Sequence, residues 1–334
     1  MTVSEFDLIT QLFADIGAPR ADVVLAVGDD CAVLEPVAGQ QLAVTTDTLV
    51  EGVHFFLDVS PEALGWKAVA VNISDLAAMG ARPAWLTLAL TLPSIDLDWC
   101  RGLARGLRRA CDAFGVQLVG GDTTAGPLAI TIQAIGLLAP GQARRRSGAC
   151  VGDLIYVTGT LGDAGLALLA RQSSDVVLNG AELVACTQRL EWPQPRLQQA
   201  LLLSPCVHAM IDISDGLFAD LGHILTASAV GATIRLADLP RSTVFAQACT
   251  RLQRAGMAVE AVYDLQLAAG DDYELCFTIA PARVAECARM LYQLGCHCIG
   301  VIEAQRGLRC LDGQGRQYTP PHTGYDHFAG RAQR

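Results

Sequence analysis

Apolar positions recur along this chain with two periods, one typical of strands and one typical of helices. Strand patterns cover residues 41–46, 86–92, 116–119, 129–138, 154–158, 208–213, 232–236, 273–279 and 298–302. Helical spacing covers residues 61–80, 98–115, 162–169, 182–190, 197–203, 217–229 and 282–294. Because strands alternate with helices in both halves of the chain, the pattern predicts a mixed α/β (α+β) protein.

One stretch, residues 140–152, shows neither period and is rich in glycine and arginine. Such a segment between periodic regions is typical of a connection between domains. With 334 residues, the chain is long enough for two domains of ordinary size. We therefore predict an N-terminal domain over residues 1–140 and a C-terminal domain over residues 150–334.

Composition narrows the possible functions. Hydrophobic residues make up 51% of the chain and charged residues 17%, so it can bury a large core. The formal net charge of −10 argues against nucleic acid as a partner. No apolar run reaches membrane-spanning length, and the first twenty residues are not basic then apolar. We expect a cytoplasmic protein without a membrane partner.

Twelve cysteines form an unusually large set, and in a cytoplasmic protein we expect them to be reduced. A zinc site at Cys296, His297, Cys298 and Cys310 is an alternative, but no Cys-x-x-Cys pair supports it. Cys31 and Cys150 lie beside the candidate motifs. We expect both side chains to be packed, and a reactive thiol is the alternative.

Short aspartate clusters beside glycine or a hydroxyl residue are the main candidate chemistry. They are Gly28-Asp29-Asp30, Thr45-Thr46-Asp47-Thr48, Ser74-Asp75, Gly120-Gly121-Asp122-Thr123-Thr124, Asp212-Ile213-Ser214-Asp215-Gly216 and Gly270-Asp271-Asp272. We expect most of them at or near strand ends or helix termini, where several can converge. One such cluster is an ordinary turn, but six together indicate a site for hard cations and a polyphosphate.

The usual lysine-based and glycine-based phosphate sites are missing. The chain has no Gly-x-x-x-x-Gly-Lys-Ser/Thr motif, no dinucleotide fingerprint after a strand, and a single lysine, Lys67, within a helical pattern. Mg²⁺ is usually held by a few carboxylates together with substrate phosphates. The many aspartates and the missing phosphate-binding motifs therefore favour binding of phosphate through metal ions.

In order and spacing, these motifs resemble those of the thiamine-monophosphate kinase family. The matching segments include Asp30-Cys31-Ala32, Thr45 to Phe55, Asn72 to Pro83, Gly120 to Thr124, Arg146 to Ala149, Asp212 to Leu217, Gly270 to Leu275 and Thr323 to Phe328. The resemblance runs from the first helix to the C-terminus. It implies the two-domain fold of aminoimidazole-ribonucleotide synthetase, with N-terminal domains that pair in a homodimer.

The resemblance also implies an activity and a set of site residues. The reaction would be ATP plus thiamine monophosphate giving ADP plus thiamine diphosphate, the last step of that cofactor's synthesis, assisted by several Mg²⁺ ions. The implied metal ligands are Asp30, Thr45, Thr46, Asp47, Asp75, Asp122, Asp212 and Asp215. The implied ATP contacts are Gly121, Asp122, Arg146 and Ser214. The implied thiamine-phosphate contacts are His54, Glu274 and Tyr325.

The chain departs from the family pattern in two places. Cys150 stands where the family often has lysine, and residues 237–267 are long and atypical. Two other functions stay open. One is a related synthetase acting on a different acceptor, and the other is a non-catalytic protein that binds nucleotide or divalent ions.

Overall fold

The structure is a computed structural model that describes residues 5–325 and residue 327. It divides into two units, the first ending at Ala143 and the second beginning at Arg144. Each unit carries its own sheet and its own helices, so the predicted α/β class is confirmed. No helix in the described part combines the length and the apolar character needed to cross a bilayer.

The N-terminal unit is built on a four-stranded sheet. Its helices are α1 (Glu5–Leu8, continued by a π-helical turn Ile9–Phe13), α2 (Pro61–Ala78) and α3 (Leu97–Phe114). Its strands are β1 (Val23–Leu25), β2 (Val33–Leu34), β3 (Gln41–Val50), β4 (Arg82–Leu92), β5 (Gln117–Ala125) and β6 (Ala129–Leu138). The sheet order is β3-β6-β4-β5, with β4 and β5 parallel, and β1 pairs with β2 as a separate ribbon.

Helices α2 and α3 cover one face of this sheet. Ser60 caps α2 by accepting the Ala63 N–H, and Pro61 occupies its first turn. The two helices approach closely because glycines face each other: a Cβ on Gly106 would lie 2.0 Å from the Glu62 carbonyl oxygen. Gly115 ends α3 in the left-handed conformation. Asp96 caps the start of α3 by accepting the N–H groups of Asp98 and Trp99.

The C-terminal unit is built on a seven-stranded sheet of order β13-β12-β9-β11-β7-β10-β8. Its strands are β7 (Leu154–Thr158), β8 (Ala209–Asp212), β9 (Gly231–Arg235), β10 (Leu275–Ile279), β11 (Cys296–Glu303), β12 (Gly307–Leu311) and β13 (Gln317–Tyr318). Its helices are α4 (Asp163–Gln172), α5 (Gly180–Glu191), α6 (Leu197–Leu203), α7 (Leu217–Ser228), α8 (Thr243–Arg254), α9 (Val259–Leu267) and α10 (Pro281–Gln293), with 3₁₀ turns at Ser204–Cys206 and Leu236–Asp238. The pairs are antiparallel except for β9 with β12.

The atypical segment 237–267 folds mainly as α8 and α9. Phe245, Leu252 and Val262 from these helices are buried, so the segment belongs to the core of the C-terminal unit.

Candidate functional site

Strand β3 carries three of the predicted metal ligands on alternating faces. Thr45 and Asp47 are half-buried and share the face that α2 and α3 cover. Thr46 is exposed and points to the opposite, open face because side chains alternate along a strand. The side chain of Thr46 is therefore on the opposite face from those of Thr45 and Asp47.

Asp75 completes a group of oxygen donors under α2. It lies in the last turn of α2, and its Oδ2 accepts a hydrogen bond from the Thr45 hydroxyl at 2.5 Å. Thr45, Asp47 and Asp75 thus bring one hydroxyl and two carboxylates to the same side of the sheet. Oxygen donors of this kind match the preference of Mg²⁺.

Asp122 lies elsewhere in the N-terminal unit. It is exposed on β5, in register with Ala89 of β4, Thr131 of β6 and Thr48 of β3. It therefore shares the open face with Thr48 and stands three strand spacings, about 14 Å, from β3. Mg²⁺ binds its ligands at about 2.1 Å, so Asp122 and Asp47 do not ligate the same ion in this arrangement.

Our expectation that the clusters mark strand ends is wrong for two of them. Asp47 lies inside β3 opposite Ile132, and Asp122 lies inside β5 opposite Ala89. Both strands continue past the aspartate because neighbouring strands supply hydrogen bonds to their main chains. Gly121 has a packing role here: a Cβ on it would lie 1.9 Å from the Leu88 carbonyl oxygen.

Asp30 lies on an exposed loop between β1 and β2. Its N–H bonds to the Asp29 carboxylate at 2.9 Å, which fixes the local turn. Gly28, just before this pair, has a φ of +127° that few other residues adopt. Within the described part of the chain, Asp30 has no hydrogen bond to another predicted metal ligand.

His54 is held by the turn that follows β3. Its Nδ1 accepts the Val50 N–H at 2.9 Å, and its own N–H bonds to the Val50 carbonyl. Because Nδ1 is the acceptor, a neutral ring carries its proton on Nε2. Nε2 is therefore the atom with which His54 would donate a hydrogen bond to a phosphate.

In the C-terminal unit, two loops lie against each other beyond the ends of β8 and β10. The Ile213 and Tyr273 N–H groups each donate across the pair, and Asp271 N–H donates to the Ser214 carbonyl at 2.9 Å. Asp271 and Tyr273 have φ values of +58° and +50°, which cost energy for residues other than glycine. The main chain of this strained loop thus contacts the loop between β8 and α7, residues 213–216, which we call the Ser214 loop.

Asp220 is a site residue that the sequence analysis missed. Its Oδ2 accepts the N–H groups of Ser214, Asp215 and Gly216, each at 3.1 Å. Burial, with a smaller contribution from the Asp215 charge, raises the pKa of Asp220 to about 7. The only sequence signal was its position in the first turn of α7, where an acidic residue can accept free N–H groups.

The Ser214 loop carries three predicted ligands. Asp212 is buried at the last position of β8, while Ser214 and Asp215 are half-buried. Burial raises the pKa of Asp215, and nearby basic side chains, including Arg146, oppose that rise. A half-buried carboxylate near a guanidinium is suited to binding a cation together with an anionic ligand.

Tyr325 reaches the same loop through its main chain. Its N–H donates to the Asp215 carbonyl at 3.1 Å, and its ring lies 4.9 Å from that of His327 in an edge arrangement. Tyr325 is 48% exposed as a residue, so it is accessible to a ligand. Asp326 and Phe328, which complete this motif, lie outside the described residues.

Glu274 is not on a surface. Its side chain is fully buried and accepts hydrogen bonds from Thr158, Arg189 and Arg196. The distances are 2.6 Å to Thr158, 2.8 Å to Arg189, and 2.6 and 2.5 Å to Arg196. Both carboxylate oxygens are therefore engaged. Direct contact with a substrate, which the sequence predicted, would require these partners to move.

The cysteines differ from expectation in one respect. None of the twelve, all of which lie in the described part, forms a disulfide. Cys31 and Cys150 are exposed, so the expectation that they pack is wrong. Both stand on loops, where neighbouring elements do not cover them.

Comparison with known proteins relates both units to one family. The family model for "AIR synthase related protein, N-terminal domain" matches residues 28–138, and the model for its C-terminal domain matches residues 151–312. Thiamine-monophosphate kinase of Escherichia coli (strain K12) is 43% identical over 331 residues, which cover 98% of this chain and 99% of that protein. The enzyme of Haemophilus influenzae is 42% identical over 340 residues, with coverage of 98% and 99%.

Solved structures show the same similarity. The thiamine-monophosphate kinase of Stenotrophomonas maltophilia K279a superimposes with a TM-score of 0.80 at 41% identity, covering 90% of this chain and 93% of that one. A structure of AaThiL complexed with AMPPCP and TMP gives a TM-score of 0.75 at 30% identity, with coverage of 98% and 97%. Hydrogenase maturation protein HypE, at 19% identity and a TM-score of 0.72, shares the fold.

Proposed function

The chain belongs to the thiamine-monophosphate kinase family, and we propose that it transfers the γ-phosphoryl group of ATP to thiamine monophosphate, giving ADP and thiamine diphosphate. The observation that carries this proposal is the end-to-end similarity to enzymes of that name, which leaves no catalytic domain unmatched. A relative that is 30% identical has been solved with an ATP analogue and TMP bound together. The reaction is the last step in the synthesis of thiamine diphosphate.

We propose that several Mg²⁺ ions assist the transfer. The donor set supports this, because Thr45, Asp47 and Asp75 supply only oxygen atoms. The hydrogen bond from the Thr45 hydroxyl to Asp75 shows that two of these donors lie side by side. The full set of proposed ligands is Asp30, Thr45, Thr46, Asp47, Asp75, Asp122, Asp212 and Asp215. When bound, Mg²⁺ neutralises phosphate charge and favours an in-line geometry. The chain has one lysine, so metal ions rather than a lysine would carry most of the positive charge on the phosphates.

The acceptor needs no general base. A phosphate monoester has a second pKa of about 6 and is largely ionised at neutral pH. Its oxygen is already a nucleophile, so the main obstacle is repulsion between the two anions. We therefore propose direct in-line transfer without a phosphoenzyme, and we assign no residue as a catalytic base.

The remaining site residues have proposed roles in binding. For ATP they are Gly121, Asp122, Arg146 and Ser214. The charge of Arg146 acts on Asp215, which supports a guanidinium near the Ser214 loop that can bind phosphate. For thiamine monophosphate they are His54, through Nε2, and Tyr325, through its accessible ring. We propose that Glu274 contributes to the substrate side by holding Arg189 and Arg196 in place.

We further propose a homodimer formed by N-terminal units. Leu42 and Val44 are 52% and 58% exposed on the open face of the sheet, and β3 is an edge strand. A second copy would cover this apolar surface and remove the free edge. We also propose the cytoplasm as the compartment, where cysteines are kept reduced.

One assay separates this function from its alternatives. Purified protein is incubated with Mg²⁺, ATP and thiamine monophosphate, and thiamine diphosphate and ADP are measured together. We expect equal amounts of the two products. ADP formation only with a different acceptor would favour a synthetase, and nucleotide binding without turnover would favour a non-catalytic role.

The direct mechanism has its own test. With ATP made chiral at the γ-phosphorus, a single in-line displacement inverts configuration, whereas a phosphoenzyme route retains it. We expect inversion. Retention, or an isolated phosphorylated protein that is competent to react, would overturn direct transfer while leaving the overall reaction unchanged.

A further inference from the structure

A tight turn in the C-terminal unit positions Cys150 beside Asp153. The Asp153 N–H donates to the Cys150 carbonyl at 3.0 Å, and Gly152, with φ +94°, occupies the third position of the turn. The main chains of Gly152 and Asp153 both bond to Ile302 of β11, at 2.9 and 2.8 Å. The turn is therefore fixed to the sheet on one side.

His208 approaches the same turn from the residue before β8. Its N–H bonds to the Thr278 carbonyl at 2.9 Å, and its Nδ1 lies 2.9 Å from Asp153 Oδ2. The same Asp153 oxygen accepts the Cys150 N–H at 2.9 Å. Asp153 is buried, whereas Cys150 and His208 are exposed. The buried Asp153 carboxylate thus contacts the main chain of Cys150 and the ring of His208, two residues whose side chains are accessible.

One ligand atom from each of Cys150, Asp153 and His208 lies within 4.8 Å of the other two. Among the residues that the structure describes, these three form the one group of His, Cys, Asp or Glu side chains that is spaced to hold a metal ion. For bonds of about 2.0–2.3 Å in a tetrahedron, the ligand atoms lie about 3.3–3.6 Å apart. Cys150 and His208 are exposed, so their side chains have room to rotate towards those separations.

We propose that Cys150, Asp153 and His208 form a site for one borderline divalent transition metal of the zinc class. Thiolate, imidazole and carboxylate are the ligands of Zn²⁺, whereas Mg²⁺ takes oxygen and disfavours sulfur. A thiolate and a carboxylate together neutralise the charge of the ion. The three protein ligands leave the fourth position to water or an external ligand, on the exposed side.

The site is distinct from the oxygen-donor groups proposed for Mg²⁺ and does not rest on the kinase activity. It depends on Cys150, a free and exposed cysteine. The segment just before it carries Arg146, whose carbonyl accepts a hydrogen bond from Ser228 at 3.2 Å. A metal ion bound at Cys150 would link this segment to the start of β8 through His208. Metal binding would thereby limit the motion of the Arg146 segment.

Binding releases the Cys150 thiol proton to solvent, so the affinity rises with pH. The affinity should therefore fall as the pH is lowered, and a site made only of carboxylates would show a smaller change.

Co²⁺ is the probe for this site because its absorption reports sulfur ligation and tetrahedral geometry. The tag-free full-length protein, kept reduced with a phosphine, is titrated with Co²⁺ in excess Mg²⁺. We expect one equivalent to give a thiolate charge-transfer band and intense visible bands, and Zn²⁺ to displace both. C150S should abolish the charge-transfer band. H208Q should weaken binding by at least about 100-fold, since even loss of an outer-shell partner costs about 10–100-fold.

Two control variants separate this site from the other cysteines. C31S removes the other exposed thiol, and C206S disrupts the Cys206–Cys287 pair, whose sulfurs lie 3.1 Å apart. Both should keep the charge-transfer band and its stoichiometry. Far-ultraviolet circular dichroism checks that each variant is folded. Absence of the band in the wild-type protein, or its persistence in folded C150S, would overturn the proposal.

Discussion

The Thr45 hydroxyl donates a 2.5 Å hydrogen bond to Asp75 Oδ2, linking β3 to α2 within the N-terminal unit. This contact orients a carboxylate that we assign to Mg²⁺. Thr45→Val removes the hydroxyl but keeps the shape of the side chain. We expect the Mg²⁺ concentration for half-maximal activity to rise about tenfold, equivalent to about 1.4 kcal/mol. Initial rates measured across a Mg²⁺ series check this.

A matched control lies on the same strand. Thr48 forms a hydroxyl–hydroxyl bond of 2.9 Å with Thr131 on the open face and is not a predicted ligand. Thr48→Val should leave the Mg²⁺ dependence within about twofold of wild type, because its hydroxyl orients no carboxylate. Equal shifts in the two variants would mean that the effect comes from β3 in general and would contradict the role given to Thr45.

Asp220 should hold the Ser214 loop in place. Asp220→Ala leaves the N–H groups of Ser214, Asp215 and Gly216 without their acceptor, at a cost of about 3 kcal/mol or more. Asp220→Asn keeps one oxygen acceptor and should cost less. Urea unfolding of the two variants measures the difference, and equal stability of the alanine variant and wild type would remove Asp220 from the account.

The same residue gives a pH prediction. The pKa of Asp220 is raised to about 7 by burial, above its ordinary value of 3.8. Between about pH 4 and pH 7 the folded chain therefore binds more protons than the unfolded chain, and this residue's contribution to stability falls as pH rises. Relative to Asp220→Asn, the free energy of unfolding of wild type should fall by a few kcal/mol between pH 4.5 and 7.5, since each pKa unit corresponds to about 1.4 kcal/mol. A constant difference between the two proteins would contradict this.

Glu274 should be essential to the stability of the C-terminal unit. Glu274→Gln leaves Arg189 and Arg196 without a carboxylate at a fully buried position, and loss of one partner from a buried pair costs about 3–5 kcal/mol. The exposed Arg283–Glu286 pair is the control, because Glu286→Gln should cost less than about 1 kcal/mol. Thermal and urea unfolding compare the two, and a similar small loss in both would show that the buried pairing is unimportant.

Two adjacent glycines should respond differently to the same change. A Cβ on Gly121 would lie 1.9 Å from the Leu88 carbonyl oxygen, whereas one on Gly120 meets nothing within 4 Å. We expect Gly121→Ala to cost about 3 kcal/mol or to prevent folding. Gly120→Ala should stay within about 1 kcal/mol of wild type. Unfolding free energies check this, and a well-folded Gly121→Ala protein would show that β4 and β5 are not packed this closely.

The sequence predicted the elements of the fold well where the periodicity was strong. The helix from Pro61 and the strand over 129–138 match α2 and β6. The periodicity did not indicate where β3 and β5 end, because their hydrogen bonds come from β6 and β4 rather than from local residues. For that reason Asp47 and Asp122 were expected at strand ends.

The candidate site was predicted by residue type but not in its arrangement. Thr45 and Asp75 are thirty residues apart, and only the packing of α2 over the sheet brings them together. The partners of Glu274, from β7 and the α5–α6 region, have no local signal in the sequence either. Long-range contacts of this kind depend on how elements pack.

The most direct test of the central claim is the Mg²⁺-dependent rate of thiamine diphosphate formation from ATP and thiamine monophosphate. Wild type should form the product, while Asp47→Asn and Asp122→Asn should fold normally and lose at least about 100-fold in rate, or about 2.7 kcal/mol. Asp112→Asn, on the exposed side of α3, should match wild type. Full activity in both Asp47→Asn and Asp122→Asn would contradict the account and would leave these carboxylates as structural residues.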